Sequence, residues 1–489
     1  MNKKVKKVVV LLAVIILTIP LFTHANVNPN ADPNSQRNNG HNEEVYCEIY
    51  QEIFESRVEY FGYEFVRNHA EARETIEEIE DFFRDTRSDM VVYPDYFGGM
   101  YVNEYGELVL LKVASEYKGY CEPETFYYFT DTLVEEVEFS YNELIEVMDL
   151  LDDKFDEWSS QIRMSLNIDY YDNPEVFDRD YLSSLFPSPM HNVAAWSLGV
   201  AGNHITVYLI EYTPETIEEF RSYIFDSPTL VFQPDPFEMV DFTPEQPFEP
   251  ANERQPPQEY VEGIARTTAR TILPGDRLSV WRWTNRSRNE GYLVGGQRLI
   301  GSIGYRATLT RIFPGIITFR DYGFVTAAHL GNPELRVDDV ILCRDDVIIG
   351  RVILSALLNF DVAFVRLYDP NRVSRLPNDP AFRQGVMGGR LGDSVSMRGG
   401  VSGWRHGQIT HERISFSNPW QQFRNVSMTS IMAQRGDSGS PIYVMHNGNI
   451  QAVVGFLVGE RTYGGRLLTV VTRADVIANM MNIEIRPRY

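Results

Sequence analysis

The stretch "QRGDSGSPIY" (residues 434–443) places one serine, Ser438, between two glycines and just before a β-rich run. Gly, Asp and Ser are the usual turn-forming residues, so the simplest interpretation is a surface turn. A second interpretation is a nucleophile whose neighbours lack side chains, which lets a substrate approach the backbone. The rest of the sequence has to decide between the two.

A serine hydroxyl needs a base to take its proton, and the base works best when a carboxylate fixes its tautomer. The run "YGFVTAAHL" (322–330) places His329 at the end of a β-rich segment. A lone histidine there is more often a core residue than a catalytic one. Asp361 lies inside the apolar run "LLNFDVAFVRL" (357–367), where a carboxylate is costly to bury without a hydrogen-bonding partner. His329 is the candidate partner.

The segments "TAAH", "DVAFVRL" and "GDSGSP" follow one another in this order. Together they resemble the three signature segments of chymotrypsin-like serine proteases, most closely the secreted bacterial streptogrisins and alpha-lytic protease. "LVGGQRLIGSIGYRATL" (293–309) is similar to the opening strands of these enzymes, and the likeness extends to Met481. The resemblance implies an all-β double β-barrel catalytic domain with a C-terminal helix.

The resemblance also implies a role for each residue of the site. His329 would be the general base, Asp361 its orienting carboxylate and Ser438 the nucleophile that forms an acyl-enzyme. The backbone N–H groups of Gly436 and Ser438 would form the oxyanion hole, and Asp437 would brace the loop. This answers the opening question, because a side chain at Gly436 would hinder the backbone from turning its N–H toward the substrate.

In the same family the specificity pocket is formed by the residues before the nucleophile and by two later strands. This implies a pocket in 428–434, 455–460 and a stretch near 464–469. The residues expected to line it are Ile431, Met432, Ala433, Leu457, Val458, Gly459 and Glu460. Because 428–434 contains no acid, we expect cleavage after apolar residues such as Leu, Met or Phe. If the Glu460 side chain turns into the pocket, a basic residue could be accepted instead.

The chain departs from many relatives, because Leu330 and Met432 stand near places where those have cysteines. The loops would then be held by packing alone. His406 and His411 are expected to be exposed strand or loop residues. The acidic pairs 338–339 and 345–346 do not fit a calcium loop. The sequence contains no motif for a metal or a cofactor.

Charge is distributed unevenly over the 489 residues, whose net formal charge is −23. From residue 271 onward the formal charge is +9, and residues 1–270 carry −32. The overall sign argues against a nucleic-acid partner, and two halves of opposite sign would attract one another. This complementarity favours an acidic half that docks on a basic one.

The first residues are typical of a secretory signal peptide: lysines, then an apolar run from Val8 to Phe22, then "THA". A retained membrane anchor is the alternative, although the run is short for a span. Three cysteines, Cys47, Cys121 and Cys343, are too few for a disulfide framework. Cys47 and Cys121 could pair, and Cys343 is expected to be a free buried thiol.

The amino-terminal half has helical periodicity from Glu44 to about Arg84 and again in 140–155 and 213–225. Two hairpins, in 98–113 and 196–211, each precede a helix, which indicates two related α+β lobes. By resemblance this half is an α+β two-lobed pro-region that assists folding or inhibits. An independent extracellular binding domain that stays attached is the alternative.

The sequence therefore predicts five parts. These are a signal peptide (1–25), a flexible lead-in (26–43), the pro-region (44–232), a Pro-rich linker and processing region (233–290) and a protease domain (291–489). The predicted function is that of a secreted serine endopeptidase made as a zymogen, with no nucleic-acid partner and no membrane span after signal cleavage. A processing protease of narrow specificity and an inactive homologue used for binding are the rival interpretations.

Overall fold

The structure is a computed structural model. It describes residues 51–85, 91–114, 132–166, 188–238, 273–285, 290–294, 301–312, 318–331, 334–343, 347–356, 360–368, 388–416, 423–446 and 449–484. The predicted signal peptide and lead-in, Cys47, Cys121 and most of the linker lie outside these residues. The described residues from Ile53 onward form one compact unit.

The first lobe combines a helix with a three-stranded sheet. Residues 51–61 are helical, and α1 (Tyr63–Phe82) follows after Gly62. The strands are β1 (Phe97–Val102), β2 (Leu108–Val113) and β3 (Leu133–Val137), with β2 antiparallel to β1 and parallel to β3. Ile76 and Ile79 of α1 pack on the apolar face of the sheet.

The second lobe repeats this arrangement. It contains α2 (Tyr141–Leu166), a 3-10 turn (Pro189–Asn192), β4 (Val193–Gly199), β5 (His204–Leu209), α3 (Pro214–Tyr223) and β6 (Leu230–Pro234). Again an antiparallel hairpin is followed by a strand parallel to its second member. Ser140 accepts from the N–H of Glu143, and Thr213 forms a capping box. The predicted two lobes, their helices and their hairpins are confirmed.

After the short strand β7 (Phe237–Glu238), the chain builds a nine-stranded antiparallel sheet. Its strands are β8 (Arg277–Asn285), β9 (Glu290–Leu293), β10 (Gly301–Ser302), β11 (Arg306–Ile312), β12 (Thr318–Ala327), β13 (Val340–Cys343), β14 (Val347–Ala356) and β15 (Val362–Leu367), joined by β22 (Ile483–Glu484) from the carboxy terminus. A 3-10 turn (Ala328–Gly331) ends β12.

A second large sheet holds the remaining strands of the carboxy-terminal half. These are β16 (Ser394–Gly399), β17 (Gly403–Phe416), β18 (Val426–Thr429), β19 (Pro441–His446), β20 (Asn449–Tyr463) and β21 (Arg466–Arg473). The helix α4 (Ala474–Met481) follows. Apolar side chains such as Val395, Ile442 and Val471 form the buried core of this second sheet.

The second lobe extends this sheet, because β17 pairs with β4. Ile414, Ser415 and Phe416 lie opposite residues 195–197. The segment after β6 returns to the same sheet, where β7 pairs with the end of β20. The predicted linker therefore begins beside a strand of the carboxy-terminal half.

Ion pairs also join the two halves of the chain. Arg424 contacts Asp156 at 2.9 Å, and Arg390 donates to Glu80. One pair has the reverse polarity: Arg73 of α1 contacts Asp393 at 3.4 Å, and both side chains are fully buried. The net charges of the halves are therefore matched by specific contacts.

The predicted fold class is confirmed, since an α+β region is followed by the antiparallel strands β8 to β22 in two large sheets and by a carboxy-terminal helix. None of the helices in the described part of the chain is long and apolar enough to cross a membrane.

Candidate active site

His329 lies in the 3-10 turn that ends β12. Its Nδ1 is 2.6 Å from Asp361 Oδ2, and its backbone N–H donates to Asp361 Oδ1 at 2.8 Å. The carboxylate thus fixes both the ring and the backbone of His329. With Nδ1 on Asp361, Nε2 is the ring nitrogen left to receive a proton.

Asp361 is buried, with 1% of its surface exposed. It stands just before β15 with φ at 48°, a left-handed conformation that Asp adopts more readily than most residues. Its backbone oxygen accepts from the N–H of Ala328. The hydroxyl of Thr472, on β21, donates to the backbone oxygen of Phe360 at 2.7 Å. This bond links the aspartate segment to the second sheet.

The pKa of His329 is raised above its ordinary value. Burial alone would lower the pKa, but the charge of Asp361 and its hydrogen bond outweigh burial and favour the imidazolium. The ring is therefore a stronger base than a free histidine.

The loop that carries Ser438 is built around two glycines with positive φ, Gly436 at 99° and Gly439 at 90°. Asp437 is buried, and its carboxylate accepts from the backbone N–H groups of Val401, Ser402 and Gln434 at 2.8–3.1 Å. Asp437 therefore closes the loop by hydrogen bonding, in line with the bracing role expected of it.

The backbone N–H groups of residues 436–440 divide into two sets. Those of Asp437, Gly439 and Ser440 donate to backbone oxygens within the fold. Among the described residues, no acceptor is recorded for the N–H groups of Gly436 and Ser438. Two unused donors two residues apart, with the serine at one of them, are the arrangement that can bind an oxyanion.

Ser302 on β10 connects this loop to the first sheet. Its N–H donates to the oxygen of Ser438 at 2.8 Å, and its hydroxyl donates to the oxygen of Gly436 at 3.0 Å. The hydroxyl of Thr326 donates to the Ser302 oxygen at 2.9 Å. Thr326 lies near the end of β12, three residues before His329 in the turn that follows, so the serine loop is held against the strand that leads to the histidine.

The structure thus brings His329 and Asp361 into direct contact and docks the Ser438 loop beside them. It records no hydrogen bond between the His329 ring and Ser438. Such bonds are often long before a substrate binds.

The residues expected to line the pocket are divided between core and surface. Ile431 and Leu457 are buried in the core of the second sheet, where Ala433 packs against them, and Val458 is also buried. Met432 is 70% exposed. A Cβ added at Gly459 would meet no atom within 4 Å, so this part of the strand faces open space. Glu460 is partly buried.

Two expectations for other residues are wrong. His406 is not exposed but buried, and its ring contacts Ser396 Oγ at 2.9 Å and Ser56 Oγ at 2.8 Å. His411 is only partly exposed and packs edge-on against Tyr463.

The structure also shows the contacts of two further residues considered in the sequence. Asp339, from an acidic pair, is buried and binds Arg282 at 2.7 Å. Leu330, near the place of a cysteine in relatives, packs against Gly301. The serine loop is held by hydrogen bonds as well as packing, not by packing alone. Ser302, Thr326 and Thr472 were missed from the sequence, because a single hydroxyl in a strand carries no pattern.

Two large sheets, with the histidine–aspartate pair on one and the Gly-Asp-Ser-Gly loop on the other, form the architecture that the resemblance to chymotrypsin-like serine proteases implies. Comparisons with known proteins give a more particular likeness. Residues 61–123 match the family model of a Pro-like N-terminal domain, and residues 179–235 match that of a Pro-like C-terminal domain. Both matches lie in the amino-terminal half, one in each lobe.

Several solved structures are similar to part of the chain. Chymotrypsin of Cellulomonas bogoriensis is 20% identical, with a TM-score of 0.31 over 45% of this chain and 100% of that one. Nocardiopsis protease is also 20% identical, with a TM-score of 0.30 over 44% and 100%. Alpha-lytic protease homolog N4 is 13% identical, with a TM-score of 0.29 over 44% and 100%. No curated protein matches the sequence.

Proposed function

We propose that the protein is a secreted serine endopeptidase made as a zymogen. The observation that carries this proposal is the 2.6 Å contact between His329 Nδ1 and buried Asp361. A carboxylate held in this way fixes the histidine tautomer whose Nε2 can take a proton from a serine. The Ser438 loop supplies that serine, and it is linked through Ser302 and Thr326 to β12, the strand that leads to His329.

The reaction follows from these groups. Ser438 Oγ attacks the peptide carbonyl carbon while His329 takes the hydroxyl proton, and the carbonyl oxygen becomes an oxyanion bound by the N–H groups of Gly436 and Ser438. His329 then gives its proton to the leaving amine, which leaves an acyl-enzyme. Water, activated by the same ring, releases the acid. One N–H donor of this kind contributes about 3–4 kcal/mol to transition-state stabilisation.

The Pro-like lobes would act on the same polypeptide, as a folding aid or an inhibitor. Their support is the sheet that β4 and β17 share and the ion pairs between the halves. Maturation would cut the chain within 250–293, by the enzyme itself or another protease. Amino-terminal sequencing of the secreted form tests this. A mature start near Asn26 would favour an attached binding domain instead.

The rivals remain separable by experiment. An inactive homologue would keep the fold and lose hydrolysis, whereas a processing protease of narrow specificity would cleave one partner and few library peptides. Cleavage after Leu, Met or Phe stays a prediction from the sequence, and the charge of Glu460, considered below, bears on it.

The deciding experiment compares Ser438→Ala with Ser440→Ala in the full chain. Ser440 lies two residues from Ser438, and its buried hydroxyl has no hydrogen-bond partner in the described structure, so its removal is a matched control. We expect Ser438→Ala to abolish both peptide hydrolysis and labelling by a fluorophosphonate, and Ser440→Ala to keep both. Labelling of Ser438→Ala at another residue would contradict the assignment.

A further inference from the structure

Glu460 lies on β20 directly opposite Thr469 of β21. Residues opposite one another in an antiparallel pair project from the same face of the sheet. The hydroxyl of Thr469 donates to the backbone oxygen of Ile431 at 2.7 Å. The face that carries the Glu460 side chain is therefore the face that meets residues 428–434, the segment leading to the nucleophile.

The main chain joins the strand of Glu460 to the nucleophile loop. The N–H of Gly439 donates to the oxygen of Leu457, three residues before Glu460. The charge of Asp437, the residue directly before Ser438, also acts on the Glu460 carboxylate, because the pKa of Glu460 is raised above its ordinary value first by burial and then by this charge. The carboxylate thus belongs to a strand that is hydrogen-bonded to the serine loop.

The carboxylate has no cationic partner in the part of the chain that the structure describes. Glu460 Oε1 is buried and makes no hydrogen bond there, and no ion pair involves it. The next residue, Arg461, is directed elsewhere, with its guanidinium 5.8 Å from the centre of the Phe416 ring. A shielded carboxylate oxygen without a donor is unfavourable, and a second carboxylate nearby increases the cost. A cation on a bound ligand would give the carboxylate a hydrogen-bond donor and would offset the repulsion between the two carboxylates.

The apolar residues beside it suit a long side chain. Ala433, which is partly exposed, packs against buried Ile431 and Leu457 in the segment that faces Glu460. An aliphatic stem would pack on that surface and end at the carboxylate. Lysine and arginine have this combination of an apolar stem and a cationic end.

We propose that Glu460 is the specificity-determining residue of the site and directs cleavage after arginine or lysine. This inference rests on the proposed serine endopeptidase function, and it replaces the apolar preference expected from residues 428–434. The carboxylate reaches the substrate from a strand of the pocket wall and not from the segment before the nucleophile. For this reason the absence of an acid in 428–434 does not exclude a preference for basic residues.

The test uses peptides that differ only in the residue before the cleaved bond, Arg, Lys, Leu or Phe, and the active material obtained from the full chain. In Glu460→Gln the size is kept and the charge is lost. We expect the ratio of kcat/KM for Arg over Leu to fall by about tenfold or more, because a charge-assisted hydrogen bond is lost. Glu334→Gln, the same substitution in the segment before β13, where Glu334 accepts a hydrogen bond from Ser355, should leave the ratio unchanged. A ratio that does not change in Glu460→Gln overturns the proposal.

A binding measurement keeps this proposal separate from the proposed activity. Benzamidine, an aromatic cation, is titrated by calorimetry into Ser438→Ala with and without Glu460→Gln. Tighter binding when Glu460 is present supports the pocket even if peptides are not hydrolysed, and equal binding overturns it. Failure of fluorophosphonate labelling at Ser438 would refute the endopeptidase and leave the benzamidine result to decide on Glu460.

Discussion

Asp393 occupies the centre of the contact between the first lobe and the second sheet, and its replacement by Asn should destabilise the whole unit. The side chain is fully buried, 3.4 Å from Arg73 and 3.6 Å from His69 Nε2. Its carboxylate also accepts from the backbone N–H of Arg390 at 2.9 Å. Asn keeps the size and one acceptor but removes the charge, which leaves the Arg73 guanidinium buried without it.

The pKa of Asp393 gives a lower limit for the loss. Burial would raise the pKa, but Arg73, His69 and the backbone hydrogen bond of Arg390 lower it from 3.8 to about 2. A lowered pKa means that the folded state favours the carboxylate by about 2 kcal/mol, a contribution present above pH 4 and lost as pH falls toward 2. Removing one partner of a buried ion pair typically costs about 3–5 kcal/mol. We therefore expect a loss of about 3 kcal/mol at pH 7.

The assay is urea denaturation followed by circular dichroism, in a Ser438→Ala background so that self-cleavage does not interfere. Asp81→Asn is the matched control, because Asp81 is 73% exposed and pairs with Arg84 on the surface of α1. Surface pairs of this kind contribute about 0–1 kcal/mol. In a double-mutant cycle, Arg73→Met with Asp393→Asn should cost less than the sum of the two single changes. A loss for Asp393→Asn below about 1 kcal/mol, or one equal to that of Asp81→Asn, would refute the reasoning.

Three further predictions follow from the same contacts. Burial lowers the pKa values of His69 and His406 from 6.5 to about 4. The free energy of unfolding should therefore fall by up to about 3 kcal/mol for each histidine as pH falls from 6.5 to 4. In urea denaturation at a series of pH values, His406→Gln should make the free energy of unfolding less dependent on pH. Because the pKa of His329 is raised, kcat/KM should fall with decreasing pH with a midpoint above 6.5, and a rate unchanged from pH 4 to 8 would exclude His329 as the base. A Cβ at Gly439 would collide with Thr326 and Ser302. Gly439→Ala should therefore reduce kcat at least about tenfold and slow fluorophosphonate labelling to a similar extent. A normal rate of labelling would show that this contact does not position Ser438.

Much of the fold was predictable because it depends on residues that are close together in the sequence. Capping residues such as Thr213 and turn residues such as Gly106 act on the backbone a few positions away, so the helices and hairpins of the amino-terminal half could be located. The strands of the carboxy-terminal half could also be located from short β-rich runs of neighbouring residues. The candidate triad was found differently, since three short segments resemble those of a family, and the contact between His329 and Asp361 agrees with that resemblance.

The contacts between distant segments could not be predicted. The burial of His406 depends on Ser56, which lies 350 positions away, and the strand identity of 403–416 says nothing about this neighbour. Ser302 and Thr326 hold the serine loop, yet neither differs in sequence from an ordinary strand residue.

The sequence by itself determined the fold class, and it was enough to predict the order of the parts and the three residues of the candidate triad. Only the tertiary structure decided that β4 extends the second sheet, that Asp393 and Arg73 are buried together and that Glu460 lies opposite Thr469. The physical reason is the range of the interactions. Propensity, capping and turn geometry act over a few residues. Strand pairing and ion pairing depend on which distant segments the fold brings together.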